Sequence, residues 1–456
     1  MPNWRQALHL EPPRGWLNDP NGLCCCGGLY HVFFQYCPTA ADGTGPKLWG
    51  HYQSPDLVHW TFTGAPLHPD IPQDQGGVYS GCAVSDGKRM RLYYTGNVKH
   101  PGPHDYIHTG REANTILVET AGGVTMTPKQ VLMTNADYPA DCSLHVRDPK
   151  VWREDGLWKM VLGARSLDNA GRVLLYHSDD GLAWRLARVL EPQPPFGYMW
   201  ECPDCFLLDG RTWLSLSPQG LPHGETENQN IYQSGYFALP GGIETGIPGP
   251  FVEWDKGFDF YAPQTFETTD GRRLLIGWMG MPDADYRNPT VELGWQHCLT
   301  VPREVTVGPH GLCQRPAREL DALAQGTPVQ VADGAQTTLP LPCRLTGTAA
   351  GDFALTLADG LRLERDTRRG LVSLGFTRED LGGGRTIRRA KIPAGAVTLD
   401  ILADRSSLEI YLNGGETVFS TRFYPDRPQV PLIVEGLLLT LQPLRTMKFY
   451  GMPKGY

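Results

Sequence analysis

One kind of segment recurs through the first two thirds of this chain and limits what it can become. It is a short run of aromatic and aliphatic residues closed by glycine and aspartate turns, at residues 29–36, 90–95, 157–164, 212–217 and 273–279. Such runs read as buried strands. They return at roughly 55–65 residues, somewhat longer than common propeller repeats. A second echo runs with them. Ser54-Pro55-Asp56-Leu57-Val58-His59-Trp60 and Ser178-Asp179-Asp180-Gly181-Leu182-Ala183-Trp184 share the spacing S-x-D-x-x-x-W. Each reads as a polar turn leading into an outer strand. Five strand-rich blocks in series predict a five-bladed β-propeller, with a single large irregular sandwich as the alternative.

The pattern changes near residue 315. Residues 315–325 read as a short linker helix, with Pro316 near its start and Gly326 after its end. Beyond it apolar and polar residues alternate, at 353–357, 361–364, 397–401 and 408–412, and Asn413-Gly414 is a hairpin signal. Period-two strands with one buried face predict an antiparallel β-sandwich. The expected architecture is therefore all-β: a propeller over residues 1–314, the linker helix, and a β-sandwich over residues 326–456. A length of 456 residues agrees with two such units.

Three acidic motifs stand where chemistry could be built. Trp16-Leu17-Asn18-Asp19-Pro20-Asn21-Gly22 lies just before the first strand run, Arg147-Asp148-Pro149 opens the third block, and Glu201-Cys202-Pro203-Asp204 opens the fourth. Proline fixes its own φ and biases Asp19 towards an extended backbone. Each acid alone fits an ordinary turn or ion pair. In a propeller, however, the innermost strands begin around one central channel, so acids at matching places in three blades meet in one axial pocket. Two carboxyl groups held in different protonation states can hydrolyse a glycosidic bond, one attacking or positioning water and the other protonating the leaving oxygen. Neighbouring negative charge keeps the second one protonated.

These three motifs, in this order, resemble the signature blocks of glycoside hydrolase family 32, the β-fructofuranosidases of invertase and sucrose-6-phosphate hydrolase type. Segments at Trp49-Gly50-His51, Tyr79-Ser80-Gly81, residues 260–266, Gly277-Trp278-Met279, residues 299–304 and residues 404–409 are similar to family segments too. The resemblance covers nearly the whole chain and implies the same propeller and sandwich. It implies that Asp19 is the nucleophile, Glu201 the acid/base and Asp148 the group that holds sugar hydroxyls and supports the transition state. Asn18, Gln35, Trp49, Tyr79, Ser80, Arg147 and Trp278 are implied to line the fructosyl pocket. Leu17 stands where Met is common, and Tyr79 where Phe is frequent.

The implied function is a retaining hydrolase that releases terminal β-D-fructofuranosyl residues, with sucrose or sucrose 6-phosphate as the first substrates to test. Transfer of the fructosyl unit to another sugar, exo-action on fructans, a non-catalytic sugar-binding protein and an inverting glycosidase on arabinose-type sugars remain open alternatives. Lys99, Arg111 and Arg287 are basic residues able to meet a substrate phosphate or simply to stand in solvent.

A formal net charge of −8 without a basic run argues against nucleic-acid or anionic-membrane partners. Eleven cysteines, three of them adjacent at 24–26, read as reduced thiols. With no apolar leader at the N-terminus, a cytoplasmic location is expected. The Cys202-x-x-Cys205 pair has no second pair at zinc spacing, and His100, His104 and His108 fall in a proline-broken loop. Neither a metal nor a cofactor is expected.

Overall fold

A computed structural model describes residues 4–453. The five recurring runs are the second strands of five blades, each built on an antiparallel meander: Leu29–Cys37, Met90–Lys99, Leu157–Ser166, Arg211–Gln219 and Arg273–Met279. Each pairs with an innermost strand just before it in sequence: Gly15–Cys26, Val78–Ser85, Cys142–Glu154, Met199–Leu208 and Tyr261–Glu267. Each innermost strand touches the next, and the fifth returns to the first, so the sheets form a ring of five blades. The continuous apolar runs follow from this packing, because a blade wedged between two others is covered on both faces. Phe33, Phe34, Tyr93, Tyr94, Val161, Leu162, Leu275 and Ile276 are all fully buried.

The two S-x-D-x-x-x-W segments fold alike. Ser54 Oγ accepts from the backbone N–H of Asp56 and Leu57, and Asp56 Oδ1 accepts from Val58 and His59. Ser178 and Asp180 bind Asp180, Gly181, Leu182 and Ala183 in the same manner. Both turns lead to outer strands, His59–Leu67 and Arg185–Leu190.

Residues 329–443 supply two six-stranded antiparallel sheets stacked as a sandwich. Leu345, Leu355, Leu363, Leu374, Ile401, Ile410 and Phe419 fill the space between them. Two details differ from the sequence reading. The linker is not an 11-residue helix. Its first two residues complete the strand Leu312–Pro316, and only Arg318–Leu323 turn, as a 3₁₀-helix. Pro316, still paired with Arg303, ends the blade, and too few residues remain to propagate an α-helix. The chain also leaves the sandwich at its end, where Lys448–Tyr450 adds in parallel to His59, Trp60 and Thr61 of the first blade. No helix among the described residues is long and apolar enough to cross a membrane.

A buried polar network fastens the sandwich to the blades. Asp404 accepts from the N–H groups of Ala7 and Leu8, and the His9 imidazole spans Asp404 and Glu409 at 2.8 Å on each side. Arg303 of the fifth blade reaches Glu409, Asp255 and Ser420. The acidic block at 404–409 thus holds the two units together.

Candidate active site

The innermost strands share one irregularity. Each is bulged at the same level, near the end where it enters the channel. Asn18 and Asp19 face Gln35 alone, Ser80 is an extra residue between Tyr79 and Gly81, Asp148 and Pro149 face Leu162, Cys202 and Pro203 face Leu216, and Ala262 and Pro263 face Gly277. A bulge frees backbone groups and re-aims side chains. Proline is tolerated there because no ladder donor is required. Asp148, Cys202 and Ala262 take left-handed backbone angles, with φ of +63, +47 and +48°. The preference of a pre-proline residue for extended backbone is overruled at these positions.

The preceding blade holds four of the five bulges, those of the second to fifth blades. Asn21 Oδ1 accepts from Gly81 N–H at 3.1 Å, Thr95 Oγ1 from Asp148 N–H at 2.9 Å, Asp148 Oδ2 from Cys202 N–H at 2.9 Å, and Ser234 Oγ from Ala262 N–H at 3.2 Å. Side chains that aim the site therefore also stitch the ring.

The three acids meet around this ring. The Cys202 sulfur lies 3.8 Å from Asp19 Oδ2 and 3.7 Å from Asp148 Oδ2, and Glu201 is the next residue. Asp19 Oδ2 accepts from Ser80 Oγ at 2.5 Å and Oδ1 from Asn18 Nδ2 at 3.0 Å, while Asn18 Oδ1 accepts from Trp16 Nε1 at 2.7 Å. Glu201 Oε1 accepts from Arg147 Nε and Nη2 at 3.2 and 2.5 Å, and Oε2 accepts from Gln219 Nε2 and the Tyr261 hydroxyl at 2.8 and 2.7 Å. Burial raises the Asp19 pKa against the pull of the Ser80 and Asn18 bonds. Burial likewise pushes Asp148 up to about 7; Arg147 opposes this, and the charges of Glu201 and Asp19 add to it. Three carboxyl groups this close share protons as a set.

Arg147 is oriented in turn by His145. His145 Nε2–H donates to the Tyr106 carbonyl at 2.9 Å, and Nδ1 accepts from Arg147 Nη1 at 2.7 Å. This network sets the neutral tautomer. Burial, together with Arg147 and Arg111, drives the imidazole pKa down to about 2.

Below the acids the channel is plugged. Lys150 bridges Asp204 at 3.1 Å and the Thr265 carbonyl at 2.7 Å, and Gln264 Nε2 donates across the axis to the Gly81 carbonyl at 2.8 Å. The pocket is blind at this level. A separate cavity of about 650 Å³, lined among others by Cys24, Trp152, Lys159 and Phe206, opens on the far side of the plug.

The expected wall residues divide into two groups. Asn18, Ser80 and Arg147 contact the acids directly. Trp278 packs edge-on to Tyr261 and His297, and its indole N–H has no protein acceptor. Gln35 and Trp49 stand one layer behind. Gln35 Nε2 donates to the Val78 carbonyl at 2.9 Å, and the fully enclosed Trp49 donates to the Tyr79 carbonyl at 3.1 Å, so both brace the strand that carries Tyr79 and Ser80. Sequence reasoning missed Gln219 and His145, and it quoted Cys202 and Tyr261 without giving either a role in the site. The signal for Cys202 and Tyr261 was available. Asp19-Pro20, Asp148-Pro149, Cys202-Pro203 and Ala262-Pro263 are four X-Pro pairs at matching places in their blocks.

Residues 9–316 match the N-terminal domain of the glycosyl hydrolases of family 32, and residues 348–436 match the C-terminal domain of the same family. A sucrose-6-phosphate hydrolase from Klebsiella pneumoniae is 42% identical over 444 residues, covering 94% of this chain and 89% of the relative. A raffinose invertase from Escherichia coli is 38% identical over 442 residues, 92% of this chain and 90% of the relative. The solved structure of sucrose-6-phosphate hydrolase from Lactobacillus gasseri superimposes with a TM-score of 0.89 at 26% identity, over 97% of this chain and 94% of that one.

Proposed function

Because the chain belongs to glycosyl hydrolase family 32, we propose that it is a retaining β-fructofuranosidase acting on sucrose or sucrose 6-phosphate in the cytoplasm. Asp19 attacks the anomeric carbon of the fructosyl unit. Glu201 delivers a proton to the departing glycosidic oxygen, so the C–O bond breaks as the ester to Asp19 forms. The Glu201 carboxylate then takes a proton from water, which opens that ester and releases fructose with its configuration retained. Asp148 holds ring hydroxyls and carries negative charge towards the oxocarbenium-like transition state.

The observation that carries this reading is the placing of Asp19 and Asp148 against one cysteine sulfur, with Glu201 adjoining. The donors fit such a division of labour. Ser80 and Asn18 steady Asp19 for attack, and Arg147, Gln219 and Tyr261 fix Glu201 from both oxygens. The blind floor favours a chain end over the middle of a polymer. The names of the similar enzymes motivate the choice of disaccharides, and their leaving group is a glucosyl unit or its phosphate ester.

The test is initial-rate release of fructose from both disaccharides by the wild type, Asp19→Ala and Glu201→Ala, with proton NMR of the first-formed anomer. A loss of about 10³-fold or more is expected for the nucleophile variant. Undiminished turnover by Asp19→Ala, or an inverted first product, rejects the mechanism.

A further inference from the structure

The pocket mouth carries more positive charge than its neighbours balance. Lys99 ends the second strand of the second blade, and Arg111 begins the third; the two are direct cross-strand partners. Like charges in that relation are unfavourable. Arg147 stands beside them on the innermost strand of the third blade, and Arg165 near the end of that blade's second strand. Arg147 spends its charge on Glu201. Among the described residues, no carboxylate lies within ion-pair range of Lys99, Arg111 or Arg165.

Arg111 is half-buried. Its Nη1 touches only the His145 ring, at 3.2 and 3.1 Å, and its Nε is sealed from water without a partner. Burial and the charge of Arg147 lower its pKa to about 10. Lys99 sits over the Tyr106 ring at 5.3 Å. Partial burial, Arg111 and Arg147 all lower its pKa. The neutral His145 offers these cations no counter-charge. Arg165 is otherwise engaged, with both guanidinium bonds on Asn169.

We infer that Lys99 and Arg111 form a subsite for a phosphate monoester carried by the leaving sugar. The inference rests on the fructosidase reading of the pocket and says which form of the disaccharide the mouth is built for. Direction comes from the chain of contacts: Glu201, which meets the leaving oxygen, is joined to Arg147, Arg147 to His145, and His145 to Arg111. The cations therefore stand on the Glu201 side of the site, the side that meets the leaving group. A phosphate ester carries nearly two negative charges at neutral pH and presents oxygens that match a guanidinium fork. Arg287, the other basic candidate, lines a different cleft whose walls include Glu292, Glu379 and Asp380, an environment that opposes an anion.

Calorimetric titration with glucose 6-phosphate and with glucose tests the subsite without turnover, on the full-length wild type, Lys99→Gln, Arg111→Gln, Arg111→Lys and Arg287→Gln. The phosphate ester is expected to bind at least about tenfold tighter than glucose. Lys99→Gln and Arg111→Gln should each reduce that ratio about tenfold or more, Arg111→Lys should keep part of it, and Arg287→Gln should leave it unchanged. Lys99 is exposed, so its variant reads the subsite even if the Arg111 variants fold poorly. Equal binding of the two sugars by the wild type, or a ratio that falls only with Arg287→Gln, overturns the inference. Hydrolysis measured in parallel keeps the two readings apart. Equal kcat/KM on sucrose and sucrose 6-phosphate retains the fructosidase and removes the phosphate subsite, whereas cleavage of neither removes the fructosidase while the titration still decides the subsite.

Discussion

Replacing His9 tests how the two units are held together. His9 is wholly buried between Asp404 and Glu409. Burial alone would lower its pKa, but the two carboxylates outweigh this and raise it from 6.5 to about 9. A histidine raised on folding contributes stability that is complete below its unfolded pKa and is lost as pH rises through the folded one. With 6.5 and about 9 as the two values, the loss between pH 7 and 9.5 is about 2.5 kcal/mol. Glu11, pushed up to about 7 by burial, adds a separate loss that falls mostly below pH 7 and leaves only about 0.4 kcal/mol above it, so pH 7 is the right starting point.

His9→Gln should remove that slope. At pH 7 it should also cost about 3 kcal/mol, the low end for breaking a buried pair. The low end applies because Asp404 keeps the N–H groups of Ala7 and Leu8, and Glu409 keeps Arg303 and Tyr411. Urea unfolding followed by tryptophan fluorescence at pH 7, 8, 9 and 9.5 gives the comparison. If the wild type and His9→Gln lose the same stability over that range, the charged His9 is not the group responsible.

Three further outcomes are expected. Ser80→Ala removes the 2.5 Å bond to Asp19, and kcat on sucrose should fall about tenfold with intact folding by circular dichroism. Tyr261→Phe removes one of two donors to Glu201 Oε2 and should lower kcat/KM by about 10- to 100-fold; an unchanged value would show that the hydroxyl plays no part. Since Asp148 is pushed up to about 7, it gains its charge only as pH rises through that value, so kcat/KM should fall on the acid side of pH 7. Asp148→Asn should move that acid limb to lower pH in whatever activity remains, leaving a limb set by Asp19, whose pKa burial also raises.

Much of the fold could be read before any coordinates. The five runs declared themselves because a strand covered on both faces must be apolar throughout, and the sandwich strands did so because one face is wet. The end of the chain could not be read in this way. Lys448–Tyr450 joins the first blade through backbone hydrogen bonds, which almost any side chains allow. The linker helix was overestimated because Arg315 and Pro316 satisfy both a strand end and a helix start, and only pairing with Glu304 and Arg303 decides between them.

The sequence by itself determined which acids are present, that prolines follow Asp19, Asp148 and Cys202, and that their blocks recur in step. Those are local properties, set by residue type and spacing. Only the tertiary structure decided that Trp49 braces a wall, that Gln219 and Tyr261 grip Glu201, and that Lys99 and Arg111 stand unpaired beside Arg147. These are facts about distance across blades, and closure of the ring fixes them. A side chain's charge is written in its own codon, but its counter-charge comes from whichever strand the ring brings alongside.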